Sequence, residues 1–173
     1  IFEADEAPAG RYRHGTDNTD ILEKLADGTF IWTDGSQARR TYASRGRLLQ
    51  RFYQNRLMAT YHYDATSGLL ATVSDFSGRT VLTCGYTAGR LTSVTDLAGR
   101  TVGYGYDSVG RLKTVTEPVG TVTTMFYDGW WHLTGKRVHR PGQPAASDMI
   151  EPIEYRILPT TENPSAPAER IVP

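Results

Sequence analysis

Excess charge of either sign is missing from this chain: nineteen acidic and nineteen basic side chains leave its 173 residues formally neutral. A protein that works by neutralising phosphates or anionic lipid through bulk charge carries a surplus of one sign, so the balance argues against nucleic acid as a partner. Lysine is scarce too. Only Lys24, Lys113 and Lys136 are lysines, so the positive charge is almost all arginine, which favours planar, multidentate contacts over a diffuse solvating field. A single cysteine, Cys84, rules out an intrachain disulfide framework and a cysteine-rich zinc site. No apolar run approaches the roughly 20 residues that a membrane-spanning helix needs. The chain opens at Ile1 with neither an initiator methionine nor a signal-peptide pattern, which predicts a processed product or a piece of something longer.

What is present is a repeat. Gly-Arg-Leu occurs at Gly46-Arg47-Leu48, Gly89-Arg90-Leu91 and Gly110-Arg111-Leu112, with Gly68-Leu69-Leu70 filling the gap, so consecutive starts lie 22, 21 and 21 residues apart. A fixed period in this range signals a repeat architecture. The most complete copy runs from Asp96 to Leu112 and contains Gly99-Arg100, Tyr106-Asp107 and Gly110-Arg111-Leu112. Asp75-Phe76-Ser77-Gly78, Asp96-Leu97-Ala98-Gly99 and Asp107-Ser108-Val109-Gly110 place aspartate first and glycine fourth, as a type I turn prefers. Each unit is therefore two short strands and two turns.

Side chains alternate faces along a strand. Aligned on their terminal tyrosines, the strands put Ala59, Tyr61 and Tyr63, then Leu82, Cys84 and Tyr86, then Val102, Tyr104 and Tyr106, then Thr123, Met125 and Tyr127 on one face. The other face is smaller and more polar, which predicts a sheet buried more on one side. Strands such as Leu91 to Thr95 and Leu112 to Thr116 space their apolar residues three apart; a bulge and a sheet buried on both faces each account for that. Upstream, Ile21 to Leu25, Thr29 to Thr33 and Gln37 to Tyr42 read as strands joined by tight turns, preceded by an edge strand around Gly10 to His14. The fifth copy departs from the pattern: Trp131 stands where Gly110 stood and His132 where Arg111 stood, as befits a terminal repeat that caps the stack. A proline-rich tail follows from Pro141, broken by one strand at Ile153 to Leu158. The divisions expected are a strand-rich lead-in (1–41), a repeat region (42–140) and an extended tail (141–173).

The Tyr-Asp-x-x-Gly-Arg-Leu stretch at Tyr106 to Leu112, with an Asp-x-x-Gly-Arg turn recurring in phase, resembles the bacterial RHS, or YD, repeat. The resemblance covers roughly Tyr42 to Leu133. It implies a long β-sheet that spirals into a shell, found in polymorphic toxins, toxin-complex subunits and teneurin-like proteins: a container, secreted or on the bacterial surface, with other protein as its partner and no cofactor. Family members often add a self-cleaving Asp-Pro-x-Gly type segment; this sequence has no such motif.

The repeat residues Gly46, Arg47, Leu48, Tyr63, Asp64, Gly78, Arg79, Gly89, Arg90, Leu91, Gly99, Arg100, Tyr106, Asp107, Gly110, Arg111 and Leu112 are expected to be structural. The arginines keep phase with Asp64, Asp75, Asp96 and Asp107, which predicts charge-assisted ladders between neighbouring repeats. Cys84 takes a position held elsewhere by Tyr61, Tyr104 and Met125, so packing explains it better than nucleophilic chemistry. His14, His62, His132 and His139 are too scattered to form a metal cluster by local spacing. The stretch from Gly129 to Arg137 has the wrong spacing for a phosphate loop. Trp130, Trp131 and His132 are the candidate ligand or partner contact, with one tryptophan expected on each face of a strand. The fold expected is all-β, with about ten to twelve short antiparallel strands, and the role expected is structural, without catalysis. The alternative is an adhesin or glycan-binding surface on the same sheet.

Overall fold

The computed structural model describes residues 2–4, 10–14, 20–153, 155–156 and 170–171, with side chains for residues 10–12 and 20–153. The chain divides into two compact units, Ile1–Arg90 with Thr95–Gly99, and Leu91–Val94 with Arg100–Pro173. It is all-β, its only helical element being one short 3-10 turn among the described residues.

In the first unit, strands β1 (Phe2–Ala4), β2 (Arg11–His14), β3 (Ile21–Lys24), β4 (Phe30–Thr33), β5 (Ala38–Tyr42), β6 (Leu48–Tyr53), β7 (Arg56–Tyr63), β8 (Leu70–Asp75) and β9 (Thr80–Thr87) follow in order. Each pairs antiparallel with the next. Strand β10 (Arg90–Asp96) has residues in both units. In the second unit, β11 (Thr101–Tyr106), β12 (Leu112–Thr116), β13 (Val122–Tyr127), β14 (Leu133–His139) and β15 (Met149–Pro152) pair in the same sequential way. A separate pair joins β16 (Tyr155–Arg156) to β17 (Arg170–Ile171).

These seventeen strands exceed the ten to twelve expected. Strands β1, β15 and β17 had no counterpart in that expectation, whereas the hairpins upstream of Tyr42 were expected and carry their own pairings, with Tyr12 opposite Leu22, Leu22 opposite Trp32 and Trp32 opposite Arg40. In the tail, Tyr155–Arg156 is a strand, while Leu158 lies outside the described residues.

Bulges explain the three-residue spacing after each leucine. The register shifts where Tyr42 meets Leu48, Tyr63 meets Leu70, Tyr106 meets Leu112 and Tyr127 meets Leu133. The residue after each leucine, Leu49, Ala71, Lys113 or Thr134, is the extra one. Such an insertion turns the following residues to the opposite face and interrupts the ladder locally.

In both units the tyrosine face is the less exposed one, as expected, with His62, Thr83, Thr101 and Phe126 exposed on the other, yet neither face is deeply covered. Among the described residues only Ala38, Val73, Ser74 and Gly135 are buried, and no side chain is fully enclosed. Val73 and Ser74 are neighbours in β8 and so face opposite ways, yet both are covered. Val73 pairs with Tyr61 and Leu82, and Ser74 lies under His62, whose Nε2 is 2.8 Å from the serine Oγ. Cover on each face thus comes from adjacent strands.

Candidate functional site

The turns come first, because they set where the arginines and tyrosines point. In Asp75 to Arg79, the Gly78 N–H donates to the Asp75 carbonyl at 3.0 Å, and the Asp75 N–H donates to the Arg79 carbonyl at 2.9 Å. The Asp75 Oδ1 accepts from the Ser77 N–H and hydroxyl and from the Arg79 N–H, while Oδ2 takes the Arg79 guanidinium at 3.1 and 3.0 Å. Asp107 repeats this with Val109 and Arg111, the Arg111 Nε lying 2.7 Å from Oδ2. Glycine closes both turns because φ is +83° at Gly78 and +91° at Gly110, a region that costs any side chain strain. The 22-residue interval has a local cause: the turn from Asp64 to Gly68 carries one more residue than the others, and Gly68 N–H still returns to the Asp64 carbonyl at 2.9 Å.

These carboxyls lose their protons more readily than an ordinary aspartate. The Ser77 hydroxyl and the other donors hold the Asp75 carboxyl down to about 2. The Arg111 guanidinium does the same for Asp107, and Ser67 for Asp64, with the carboxyls below their ordinary value.

The carboxylate–arginine bonds at Asp75 and Asp107 therefore lie within single turns, where ladders between repeats were expected. An arginine side chain is long enough to close on a carboxylate four residues away across its own turn, so the nearer partner wins. Other groups connect the repeats. The Tyr63 hydroxyl donates to the Leu48 carbonyl at 2.9 Å, Tyr86 to Leu70 at 2.9 Å, Tyr106 to Leu91 at 2.8 Å and Tyr127 to Leu112 at 2.7 Å. Each tyrosine reaches back to the leucine of the preceding unit, and at Leu48, Leu70 and Leu112 that carbonyl lies beside the bulge that interrupts the ladder. Burial pushes the Tyr63 and Tyr86 phenols above their ordinary pKa. Arg47 and Arg111 reach the other way along the chain. Arg47 lies 5.5 Å from the Tyr63 ring, with Nη2 so placed that a Cβ on Gly68 would sit 2.8 Å from it. Arg111 lies 4.8 Å from the Tyr127 ring and donates to the Asp128 carbonyl at 3.3 Å.

Trp130, Trp131 and His132 sit in the turn between β13 and β14, not in a strand, so the expected one-in, one-out arrangement does not occur. Both indoles are exposed, at 81% and 60%. Trp131 takes the left-handed conformation of the glycine it replaces, with φ +72°, and its ring lies 5.5 Å from Arg111. His132 occupies the arginine position of the turn: its Nδ1 is 2.8 Å from the Asp128 Oδ2. Desolvation alone would raise the Asp128 carboxyl, but the His132 N–H and ring and the Trp130 N–H outweigh it and hold the carboxyl below its ordinary value.

Two histidine contacts had no signal in the sequence. His62 meets Ser74, and no other hydrogen-bond partner holds its ring among the described residues. His139 Nδ1 bonds the Asp148 Oδ1 at 2.7 Å, with the Arg137 Nε 3.6 Å from the other carboxylate oxygen. A twelve-residue and a nine-residue separation of this kind is fixed by strand pairing and leaves no local pattern. Cys84 is a free thiol of intermediate exposure. An open recess of about 650 Å³ lies at the β6–β7 hairpin, walled by Tyr53, Met58 and Phe76 among others.

An antiparallel meander whose units are clasped to one another by the same hydroxyl–carbonyl bond defines a repeat protein. The family model described as RHS Repeat matches residues 86–122 and 106–140, so this stretch of the chain is similar to the RHS repeat. No curated protein matches the sequence. Among solved structures, the Tc holotoxin pore of Photorhabdus luminescens with a mutated TccC3 is similar at 12% identity and TM-score 0.48, over 85% of this chain and 8% of that one. The crystal structure of TcdB2-TccC3-TEV is similar at 11% identity and TM-score 0.48, over 85% and 8%. That of TcdB2-TccC3-Cdc42 is similar at 13% identity and TM-score 0.48, over 80% and 8%. This chain spans about 8% of the length of those chains.

Proposed function

We propose that the chain is a structural segment: RHS-repeat wall or scaffold within an exported bacterial toxin or cell-surface system, with other protein as its partner and no catalysis of its own. The observation that carries the reading is the recurrence of the tyrosine clasp at Tyr63, Tyr86, Tyr106 and Tyr127. The most regular polar side chains of the unit are spent on joining each unit to the one before. Repeat arrays derive their stability from such nearest-neighbour terms and need other surfaces to cover them. Exposed apolar residues at the turn tips, Phe76, Leu97, Val109 and Val119, supply surface for protein contact. The glycan-binding alternative finds no support in the comparisons.

The test is size-exclusion chromatography with light scattering, followed by negative-stain microscopy of the peak. Higher-order particles, rings or filaments support the reading. A monomer that stays compact and inert at every concentration overturns it.

A further inference from the structure

Strand β15 is attached unlike the other strands of its unit. The links between β11 and β12, and between β12 and β13, are five residues long, whereas nine residues, 140–148, connect β14 to β15. Residues 141–147 of that link are exposed throughout. On β15 itself Met149 is 44% exposed and Ile150 68%, so burial of apolar surface contributes little to holding it.

Backbone pairing with β14, the Ile153 N–H bond to the Thr134 carbonyl at 2.9 Å and charge hold it instead. Asp148, just before the strand, has a side chain only 5% exposed, bonded to His139 Nδ1 at 2.7 Å with Arg137 Nε at 3.6 Å. Across the pair, Lys136 Nζ meets the Glu151 carboxylate at 2.9 Å, and the two residues are direct register partners. From the other side of β14, the residues opposite His139 and Arg137 are Val122 and Thr124, which bring no charge. The backbones are close: a Cβ on Gly135 would lie 3.1 Å from the Glu151 carbonyl oxygen.

We propose that β15 is an exchangeable edge strand, and that the edge of β14 it covers is a docking site for the β15 of a second copy of this chain. The fit of that occupant is the one the structure displays, since a swapped strand makes the same Asp148, Glu151 and Gly135 contacts. The exposed link gives the strand room to leave without disturbing β14. Exchange of an identical element between copies costs little once the link can open. An exposed β14 edge would otherwise pair indiscriminately. This inference stands apart from the wall reading and survives its failure.

Two single variants, Lys136→Cys and Glu151→Cys, each made in the full chain with Cys84→Ser, are mixed and mildly oxidised. Facing positions on paired strands suit a disulfide. Exchange gives a covalent dimer joining the two variants, forming about tenfold faster or more when Asp148→Asn removes the charged hydrogen bond. The chain carrying both cysteines locks β15 in place and yields monomer alone. No mixed dimer from the single variants, under conditions where the double variant closes, overturns the proposal. Native mass spectrometry of mixed ¹⁴N and ¹⁵N chains gives an independent reading: an absence of mixed dimers overturns it as well. If Asp148→Asn fails to fold, His139→Gln tests the same acceleration.

Discussion

Tyr106 does two jobs from one position. Its backbone pairs with Leu112 at the bulge, and its hydroxyl donates to the Leu91 carbonyl at 2.8 Å. Removing the hydroxyl leaves the ring in place and strands a partly buried carbonyl, so Tyr106→Phe is expected to cost about 0.5–1.5 kcal/mol in urea denaturation. The same substitution at Tyr53, which makes no such bond and is 47% exposed, should change stability by less than about 0.5 kcal/mol. At Trp131 two effects oppose. The φ of +72° disfavours a bulky residue by about 1–2 kcal/mol, while an exposed arginine–indole contact returns about 0.5–1 kcal/mol. Relief of strain is the larger, so Trp131→Gly should raise the melting temperature slightly, whereas Gly110→Ala, at φ +91°, should lower it. The tyrosine positions were legible in the sequence because they recur in phase. Their partners were not, because a backbone carbonyl has no residue identity to repeat.

The turn is the element with the clearest electrostatic signature. Ser77, then the remaining donors, holds the Asp75 carboxyl at about 2 against an unfolded value of 3.8. A folded value below the unfolded one means that the stabilisation is fully present above about pH 5 and is lost as pH falls through 4 toward 2. Asp27, Asp34, Asp64, Asp107 and Asp128 are shifted the same way, so the turns should loosen together in acid. Carboxyl-carbon NMR titration checks this. Ser77→Ala should move the Asp75 midpoint upward and leave Asp107 unmoved; an unchanged Asp75 would falsify the hydroxyl as the main cause. The Asp-x-x-Gly spacing made these turns readable from the chain alone. Which way the arginines reach was not readable, because the same phase fits a bond within a turn and a bond between units. Only the local geometry, with Arg79 and Arg111 folded back on Asp75 and Asp107, separates them. The bulge after each leucine stood between two explanations for a similar reason: an apolar spacing of three is the outcome of an inserted residue and equally of burial on both faces.

Across the whole molecule, stability must come from contacts between successive strands, since no side chain among the described residues is fully enclosed. The sequence announced the repeat but not this shallowness, because half-covered and fully covered tyrosines, valines and threonines are written with the same letters. Unfolding therefore exposes less surface than it does in a two-layer domain of equal length, and the denaturant slope scales with that surface. The slope in urea is expected to fall below that of a globular domain of 173 residues, and the transition to be broad, as nearest-neighbour arrays lose their end units first. Native-state hydrogen exchange locates the order of loss. Within the second unit, amides of β12 and β13, paired on both sides, should be the slowest. Those of β15, paired with β14 alone among the described residues, should be the fastest of its strands. A single sharp transition with a full-size slope, and equal protection from β12 to β15, would mean that something other than neighbour contacts holds the array together. A cover over its faces, supplied by self-association at the concentration measured, is then the first candidate, and dilution should restore the shallow, graded behaviour.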